Sequence, residues 1–347
     1  MRIAFVLNDI LNEQLPSSTI QLALTAARMG HEVWLTGVGD FVYNCDELVH
    51  AHARRVKSGG FDDQKSYYEA ICSDEAIKER ITVDDLDILM LRNDPAQDLQ
   101  SSWAQHAAIV FGRTAMRHGV IVLNDPDGLS KAINKMYFQH FPKEVRVEKV
   151  ITRNFSEIER FYEKHDRTMI LKPLMGSAGR GVFFVQPEDA ANLHQMADAI
   201  FRDGYAIAEE YIPEARGGDT RLFLMNGVPL QADGVYCAFR RIPGGEDIRS
   251  NIHAGARAEP AEVTPQMLRL AEIVRPKLVQ DGMFLAGLDI VADKLLEVNV
   301  FSPGGLHHKE IFKNVDFSKK VIEALEKKVL YVQYYGGNFD NIEMNTL

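Results

Sequence analysis

The chain has 347 residues, enough for two or three packed units with cores of their own. With 46% hydrophobic and 25% charged residues it has the composition of a globular protein. A formal charge of −10 excludes general nucleic-acid binding, which needs a basic surface, but leaves room for a local basic pocket that takes a small anion such as a nucleotide.

The first residues, MRIAFVLND, read as a strand with no signal peptide, and no run of about 18 apolar residues suggests a membrane span. Cys45, Cys72 and Cys237 are odd in number and far apart, which fits neither a disulfide framework nor a zinc site. A reducing compartment, the cytoplasm, is the expected location.

In chain order, RIAFVL is a strand, Ser17 or Ser18 caps a helix running toward Arg28, Gly30 ends it, and HEVWLTG is the next strand. Leu86–Asp94 is a third strand, Ser101–Gly119 a helix, and VIVLND a fourth strand. This βαβ alternation predicts an open, mostly parallel sheet, with polar groups at strand ends (Asn8-Asp9 and Arg92-Asn93-Asp94) where such sheets bind ligands.

From about Ala132 the texture becomes mixed α+β. A helix over Ala132–His140 leads to VRVEKVITR, a helix capped by Asn154 or Ser156, the strand TMILKPL, a glycine-rich loop and VFFVQ. A further unit opens near Tyr205 with the strands YAIAEEYI, DTRLFLMNG and VPLQADGVYCAFRR. Ile242–Arg257, rich in glycine, proline and charge, is expected to be a mobile surface loop. A helix over Thr264–Gln280 and a hairpin follow, and the tail after about Lys328 shows no pattern.

That hairpin, FLAGLDIVADKLLEVNV, carries the sharpest chemistry. A turn over Ala292–Lys294 pairs Val291 with Leu295, sets Asp289 opposite Glu297, and puts Asn299 on the same face. Facing carboxylates repel unless a cation sits between them, and Mg²⁺ takes one or two carboxylates plus substrate phosphates. The plainer reading is a solvated face, although Leu295 and Phe301 share it. In LKPLMGSAGRGVFFV, Lys172 precedes a loop whose backbone N–H groups can wrap phosphate, with Lys135 as a second cation; a simple turn is the alternative. The spacing is neither that of a Walker loop nor of a dinucleotide fingerprint. Among Arg221, Arg240, Arg241, Arg249 and Arg257, the strand residues Arg221 and Arg241 are the better anion clamps. His50, His52 and the pair His307-His308 lack a third ligand and read as structural or exposed.

The order of MRIAFVLNDI, LMLRNDP, VIVLNDPDGLSKAINK, VITRN, ILKPLMG, GDTRLFLMNGVPL, RRIPGGEDIRSNIHAGARAEP and GLDIVADKLLEVNVFSP resembles the ATP-grasp fold and, more narrowly, bacterial glutathione synthetase, over roughly residues 1–325. The resemblance implies a Rossmann-like pre-ATP-grasp α/β domain (1–125), a central ATP-grasp subdomain (126–204), a C-terminal subdomain with the metal and substrate site (205–327) and a tail (328–347). It also implies roles. Lys135 and Lys172 would hold ATP phosphates beneath the loop containing Gly176, Ser177, Gly179 and Gly181. Glu209, Glu210, Tyr211 and Ile212 would form the adenine hinge, with Asp219 near the ribose. Asp289, Glu297 and Asn299 would bind Mg²⁺, or Mn²⁺ in its place. Arg221 and Arg241 would be catalytic, and Ile242–Arg257 the lid. Ser17, Ser18, Arg92, Arg249, Asn251, Ser302, Gly304 and Gly305 would touch the organic substrates.

The implied activity is an ATP-dependent ligation through an acyl phosphate, joining γ-glutamylcysteine to glycine, by a homo-dimer or homo-tetramer whose partners are small molecules and neither nucleic acid nor membrane. Departures fall on the organic substrates. Phe301 and Gly304 replace hydroxyl residues of the family pattern Asn-Val-Thr-Ser-Pro-Thr, and Asn8-Asp9-Ile10 replaces Asp-Pro-Ile. A paralogous ligase with another acid and another amine is therefore the alternative, and a non-catalytic nucleotide-binding protein a more distant one.

Overall fold

A computed structural model describes residues 1–57, 60–176, 179–244 and 255–347. Three sheets carry the architecture. The first contains β1 (Arg2–Leu7), β2 (Glu32–Tyr43), β3 (Val49–Arg55), β4 (Ile77–Thr82), β5 (Ile88–Leu91) and β6 (Ile121–Leu123), in the order β4-β3-β2-β1-β5-β6. β1 lies inside the sheet with helices over it, so five of its six residues are buried and the alternation of a half-exposed strand is missing. α1 (Ser18–Arg28) is capped by Ser17, whose hydroxyl accepts from the backbone N–H of Thr19 and Ile20. α2 (Gln64–Cys72) and α3 (Ser102–Met116) complete this unit.

The sheet is less parallel than the sequence predicts. β1 pairs in parallel with β2 and β5, and β5 with β6, but β2–β3 and β3–β4 are antiparallel. The short link from Tyr43 to Val49 permits a hairpin and is too short for a crossover. The predicted third strand is also shorter, ending at Leu91, which leaves Arg92–Asp94 as connecting chain.

The predicted helix over Ala132–His140 is replaced by α4 (Pro126–Lys131) and a separate 3₁₀ turn over Lys135–His140. Asn134 starts that turn by accepting from the Met136 N–H, and the Lys135 N–H is drawn away to the Leu174 carbonyl. The second sheet then forms from β7 (Lys149–Thr152), β8 (Met169–Pro173), β9 (Phe183–Val185) and β10 (Ala206–Glu210), in the order β7-β10-β8-β9 and antiparallel throughout. α5 (Phe155–Lys164) and α6 (Leu193–Phe201) cover one of its faces with Ile158, Phe161, Leu193 and Ala197.

The third sheet begins with β11 (Asp219–Met225). The stretch VPLQADGVYCAFRR forms four short pieces, β12 (Val228–Pro229), β13 (Gln231–Ala232), β14 (Val235–Tyr236) and β15 (Ala238–Ile242); β13 and β14 pair with each other as a separate hairpin that turns at Asp233 and Gly234, both at positive φ. β16 (Arg257–Pro260), α7 (Pro265–Gln280), β17 (Leu285–Val291) and β18 (Lys294–Asn299) complete it, in the order β16-β15-β11-β17-β18. The expected mobile loop falls largely on residues 245–254, outside the described residues.

The tail, patternless in sequence, is ordered. α8 (Phe317–Tyr335) buries Phe317, Val321, Ile322, Leu325 and Lys328, a helical spacing, and packs on α1. Gly336 ends it in the left-handed conformation (φ 62°). α9 (Asn341–Thr346) then lays Asn341 and Asn345 along β6, where both amides donate to the Val122 carbonyl and the Asn341 side-chain oxygen accepts from the Val122 N–H. The outer edge of the first sheet is closed by side chains from the far end of the chain.

Candidate active site

The β17–β18 hairpin reaches the predicted pairing by a different route. Its turn is only Ala292-Asp293, so Val291 faces Lys294 and Ile290 faces Leu295, and a bulge between Asp289 and Ile290 restores Asp289 opposite Glu297. The two carboxylates nonetheless have separate partners. Asp289 is 3% exposed and accepts from Arg221 at 2.8 Å on each oxygen, lies 2.7 Å from Arg241, and accepts from the Asn299 amide at 3.1 Å. Glu297 pairs instead with Lys135 at 3.0 Å.

Strand register explains the first group. Asp219 stands opposite Arg241 across β11–β15, and Arg221 opposite Asp289 across β11–β17. Since Asp219 and Arg221 are two residues apart, all four side chains share one face of the third sheet. The cluster has two cations and two anions in near-complete burial, so its charges balance internally. Burial works against the Asp289 carboxylate, but Arg221 and Arg241 beside it win and hold its pKa well below the usual carboxylate range. Asp219, expected beside a ribose, is turned into this cluster and accepts from the Arg241 guanidinium through both oxygens. Asp289, expected to be a metal ligand, has both oxygens occupied by arginine.

A second charged group covers one face of the neighbouring sheet. Glu209 on β10 stands opposite Lys149 on β7, while Lys172 on β8 stands opposite Ile207, two residues before Glu209. The Glu209 carboxylate accepts from Lys172 at 2.5 Å through one oxygen and from Lys149 at 2.9 Å through the other. Burial opposes its charge, yet the two lysines pull its pKa down to about 2. Sequence reading assigns Lys149 no role. Its signal is a basic residue at the start of a strand, but nothing in the spacing says that β7 and β10 are neighbours.

A cavity of about 130 Å³ lies between these groups, lined among others by Lys135, Lys149, Lys172, Gly176, Glu297, Asn299 and Phe301. Lys135 closes one side by donating to the Gly176 carbonyl as well as to Glu297. Burial opposes its charge, and Glu297 more than compensates, raising its pKa. Gly176, Gly179 and Gly181 all have positive φ (148°, 72° and 68°), the backbone form that lets a loop turn its N–H groups to one side. Ser177 lies outside the described residues. In the segment expected to be the adenine hinge, the Glu210 N–H donates to the Glu148 carbonyl, and the Tyr211 ring rests 4.4 Å from Phe184, followed by Ile212.

For a hard cation, the fit rests on Glu297 and Asn299. Both line the cavity; the second Glu297 oxygen and the Asn299 side-chain oxygen have no hydrogen-bond partner among the described residues, and each is an oxygen donor suited to Mg²⁺. Among the described residues no three His, Cys, Asp or Glu side chains cluster as a metal site, so a cation here needs oxygens from its substrate.

The turn behind the hairpin is locked onto the start of α1 and the chain after β5. Ser18 accepts at its hydroxyl from the N–H groups of Gly305 and Leu306 at 2.9 and 3.0 Å. Arg92, buried, donates to the carbonyls of Phe301 and Pro303 at 3.4 and 3.2 Å and to the Thr19 hydroxyl at 3.3 Å. Gly305 has φ 120°, and a Cβ there would meet the Phe239 ring at 2.3 Å, whereas a Cβ on Gly304 would meet nothing within 4 Å. Ser17, Ser18 and Arg92, expected at the acyl substrate, are thus engaged with a helix start and this turn. Ser302 lines the cavity, and the Gly304 carbonyl accepts from Arg221 at 3.4 Å. Arg249 and Asn251 lie outside the described residues, while Arg240 and Arg257 are exposed.

Residues 1–130 match the family described as prokaryotic glutathione synthetase, N-terminal domain, and residues 134–314 match prokaryotic glutathione synthetase, ATP-grasp domain. The chain belongs to the prokaryotic glutathione synthetase family. The family's fold is the ATP-grasp fold, and the chain is an ATP-dependent ligase of this type. It is 30% identical over 333 residues to the glutathione synthetase of Synechocystis sp., covering 94% of this chain and 100% of that one. It is also 30% identical to the glutathione synthetase of Escherichia coli, covering 95% and 99%. Among solved structures, a D-cycloserine synthetase aligns with TM-score 0.63 at 15% identity, covering 94% of this chain and 99% of the other. An ATP-grasp ligase complexed with minimal precursor, Mg and ADP aligns with TM-score 0.57 at 16% identity, covering 94% and 98%. These two structures bear on the fold alone. No helix among the described residues is long and apolar enough to cross a membrane.

Proposed function

We propose that the cavity between Lys135, Lys172, Glu297 and Asn299 is where ATP phosphorylates a carboxylate, and that the chain joins γ-glutamylcysteine to glycine with release of ADP and phosphate. The observation that carries this reading is the convergence of cationic ammonium groups, and of oxygen donors unpartnered among the described residues, on one cavity beside a loop of positive-φ glycines.

Carboxylate and amine do not condense at useful yield in water, so the acid must first be activated. Lys135 and Lys172 meet the phosphates, the glycine loop supplies backbone N–H groups, and the hinge from Glu209 to Ile212 takes the base. Glu297 and Asn299 hold Mg²⁺, or Mn²⁺, which when bound offsets phosphate charge. Arg221 and Arg241, fixed by Asp289 and Asp219, present guanidinium charge to the phosphoryl group in transfer and to the acyl phosphate oxygens. Because their rotamers are set by buried carboxylates, little reorganisation is needed when charge develops. The amine then attacks the acyl carbon and phosphate leaves. Three free cysteines suit a cytoplasmic location, and a homo-dimer or homo-tetramer is the assembly proposed on family resemblance.

A second reading keeps the chemistry and changes the organic substrates. Phe301 lines the cavity and Gly304 has open space over it, where the family pattern carries hydroxyls. A panel of γ-glutamyl and related acids crossed with amino-acid acceptors, read by phosphate release, separates the two. Turnover with γ-glutamylcysteine and glycine above all other pairs supports the first; turnover confined to another pair sinks it and supports the second.

A further inference from the structure

Of the four lysine and glutamate side chains around the cavity, Lys149 is the one with no part in the ligation just proposed, and its placement is built. It is held from the side by Glu209 at 2.9 Å and from behind by the Phe138 ring, whose centroid is 4.4 Å from the ammonium. Strand pairing sets Lys149 directly opposite Glu209, and its side chain is 5% exposed. A lysine so enclosed costs desolvation and returns little as packing.

We propose that Lys149 is a positioning residue, the counter-charge that frees Lys172 to bind nucleotide phosphate. Glu209 is shared, one oxygen to each lysine, so the trio carries two positive charges against one negative. Without Lys149, Lys172 and Glu209 would form a closed neutral pair. Moving Lys172 onto a phosphate would then leave a buried carboxylate with no partner, a cost that cancels much of what the new contact yields. With Lys149 present, Glu209 stays compensated whichever way Lys172 turns. Burial lowers the Lys149 pKa, Glu209 opposes that lowering, and the neighbouring Lys172 adds to it. The inference rests on the reading that this cavity takes ATP.

The test uses the full-length chain with four changes: Lys149→Met, Lys149→Arg, Glu209→Gln, and the double Lys149→Met/Glu209→Gln. Equilibrium affinity for the non-hydrolysable nucleotide AMPPNP with Mg²⁺ is measured by calorimetry, alongside nucleotide-free melting temperature and KM for each substrate. Lys149→Met is expected to weaken nucleotide binding about tenfold or more, with the acid and amine KM values unmoved. Lys149→Arg keeps the charge and retains the affinity. The double variant no longer traps Lys172 and binds at least about threefold more tightly than Lys149→Met, while Glu209→Gln alone reports what the hinge loses without that carboxylate. A lower melting temperature with unchanged affinity in Lys149→Met would reduce Lys149 to a structural residue and overturn the proposal. A double variant as weak as Lys149→Met would overturn the counter-charge argument by making Lys149 a direct ligand. If the unaltered protein binds no nucleotide, the site reading fails first, an outcome distinct from both.

Discussion

Asp289 and Glu297 stand directly opposite each other on the β17–β18 hairpin, yet each is neutralised by a different set of cations, Asp289 by Arg221 and Arg241 and Glu297 by Lys135. The hairpin therefore links two charged groups: one carboxylate anchors the arginines of the third sheet, and the other reaches the lysine of the 3₁₀ turn beside the glycine-rich loop.

Asp289 is a structural anchor before it is anything else. Asp289→Asn leaves two buried guanidinium groups against one remaining carboxylate, and loss of one partner from a buried pair costs about 3–5 kcal/mol. Urea unfolding should show a loss of that order, partly restored in Asp289→Asn/Arg221→Met. Unchanged stability in the single variant would mean the cluster is open to water.

The two glycines of the turn should behave oppositely. Gly305→Ala puts a methyl 2.3 Å from the Phe239 ring at φ 120° and is expected to destabilise by about 2 kcal/mol or more. Gly304→Ala has free space and should fold as the unaltered chain does. Melting temperatures of both variants check this, and Gly304→Thr, assayed against the acceptor panel, reports whether this position selects the amine.

Acid sensitivity should trace in part to Glu209. Its pKa falls from 4.5 unfolded to about 2 folded, because Lys172 and Lys149 outweigh its burial. A depressed carboxylate contributes stability that is full above 4.5 and lost as pH falls through about 2. Unfolding free energies measured across that window should fall less steeply for Glu209→Gln than for the unaltered chain.

Lys328 works with the opposite sign. It is 1% exposed, donates to the Asn226 side chain and the Leu347 carbonyl, and burial drops its pKa from 10.5 to about 7. The folded chain holds this proton less tightly, so the penalty is absent above 10.5, grows as pH falls toward about 7, and stays constant below. Relative to the unaltered chain, Lys328→Met should gain stability as pH falls from about 10 toward 7, against a pH-independent loss of the hydrogen bonds to Asn226 and Leu347. Denaturation at a series of pH values measures it.

Local pattern carries much of this molecule. The facing of Asp289 and Glu297 on the hairpin and the helix starts at Ser17 and Asn154, each one of two adjacent candidates, follow from neighbouring residues. What is not legible is which strands become neighbours. Arg221 meets Asp289 because β11 lies beside β17, and Lys149 meets Glu209 because β7 lies beside β10, pairings between residues 68 and 60 positions apart. The bulge at Asp289 is hidden for a related reason: the wrong turn length and the missing bulge cancel, so the correct facing pair emerges from an incorrect register. The tail is obscured by composition, since α8 buries a lysine where an apolar residue would have marked the face.

The central claim is that Glu297 serves the chemistry of ATP at this cavity, and phosphate release by Glu297→Ala tests it most directly. With γ-glutamylcysteine, glycine, ATP and Mg²⁺, the unaltered chain should release phosphate and form the tripeptide. Glu297→Ala should lose about 10²-fold or more of that rate, as expected when charge stabilisation at the transferring phosphoryl is removed, with its melting temperature nearly unchanged. Phosphate release at the unaltered rate by a folded Glu297→Ala would contradict the account.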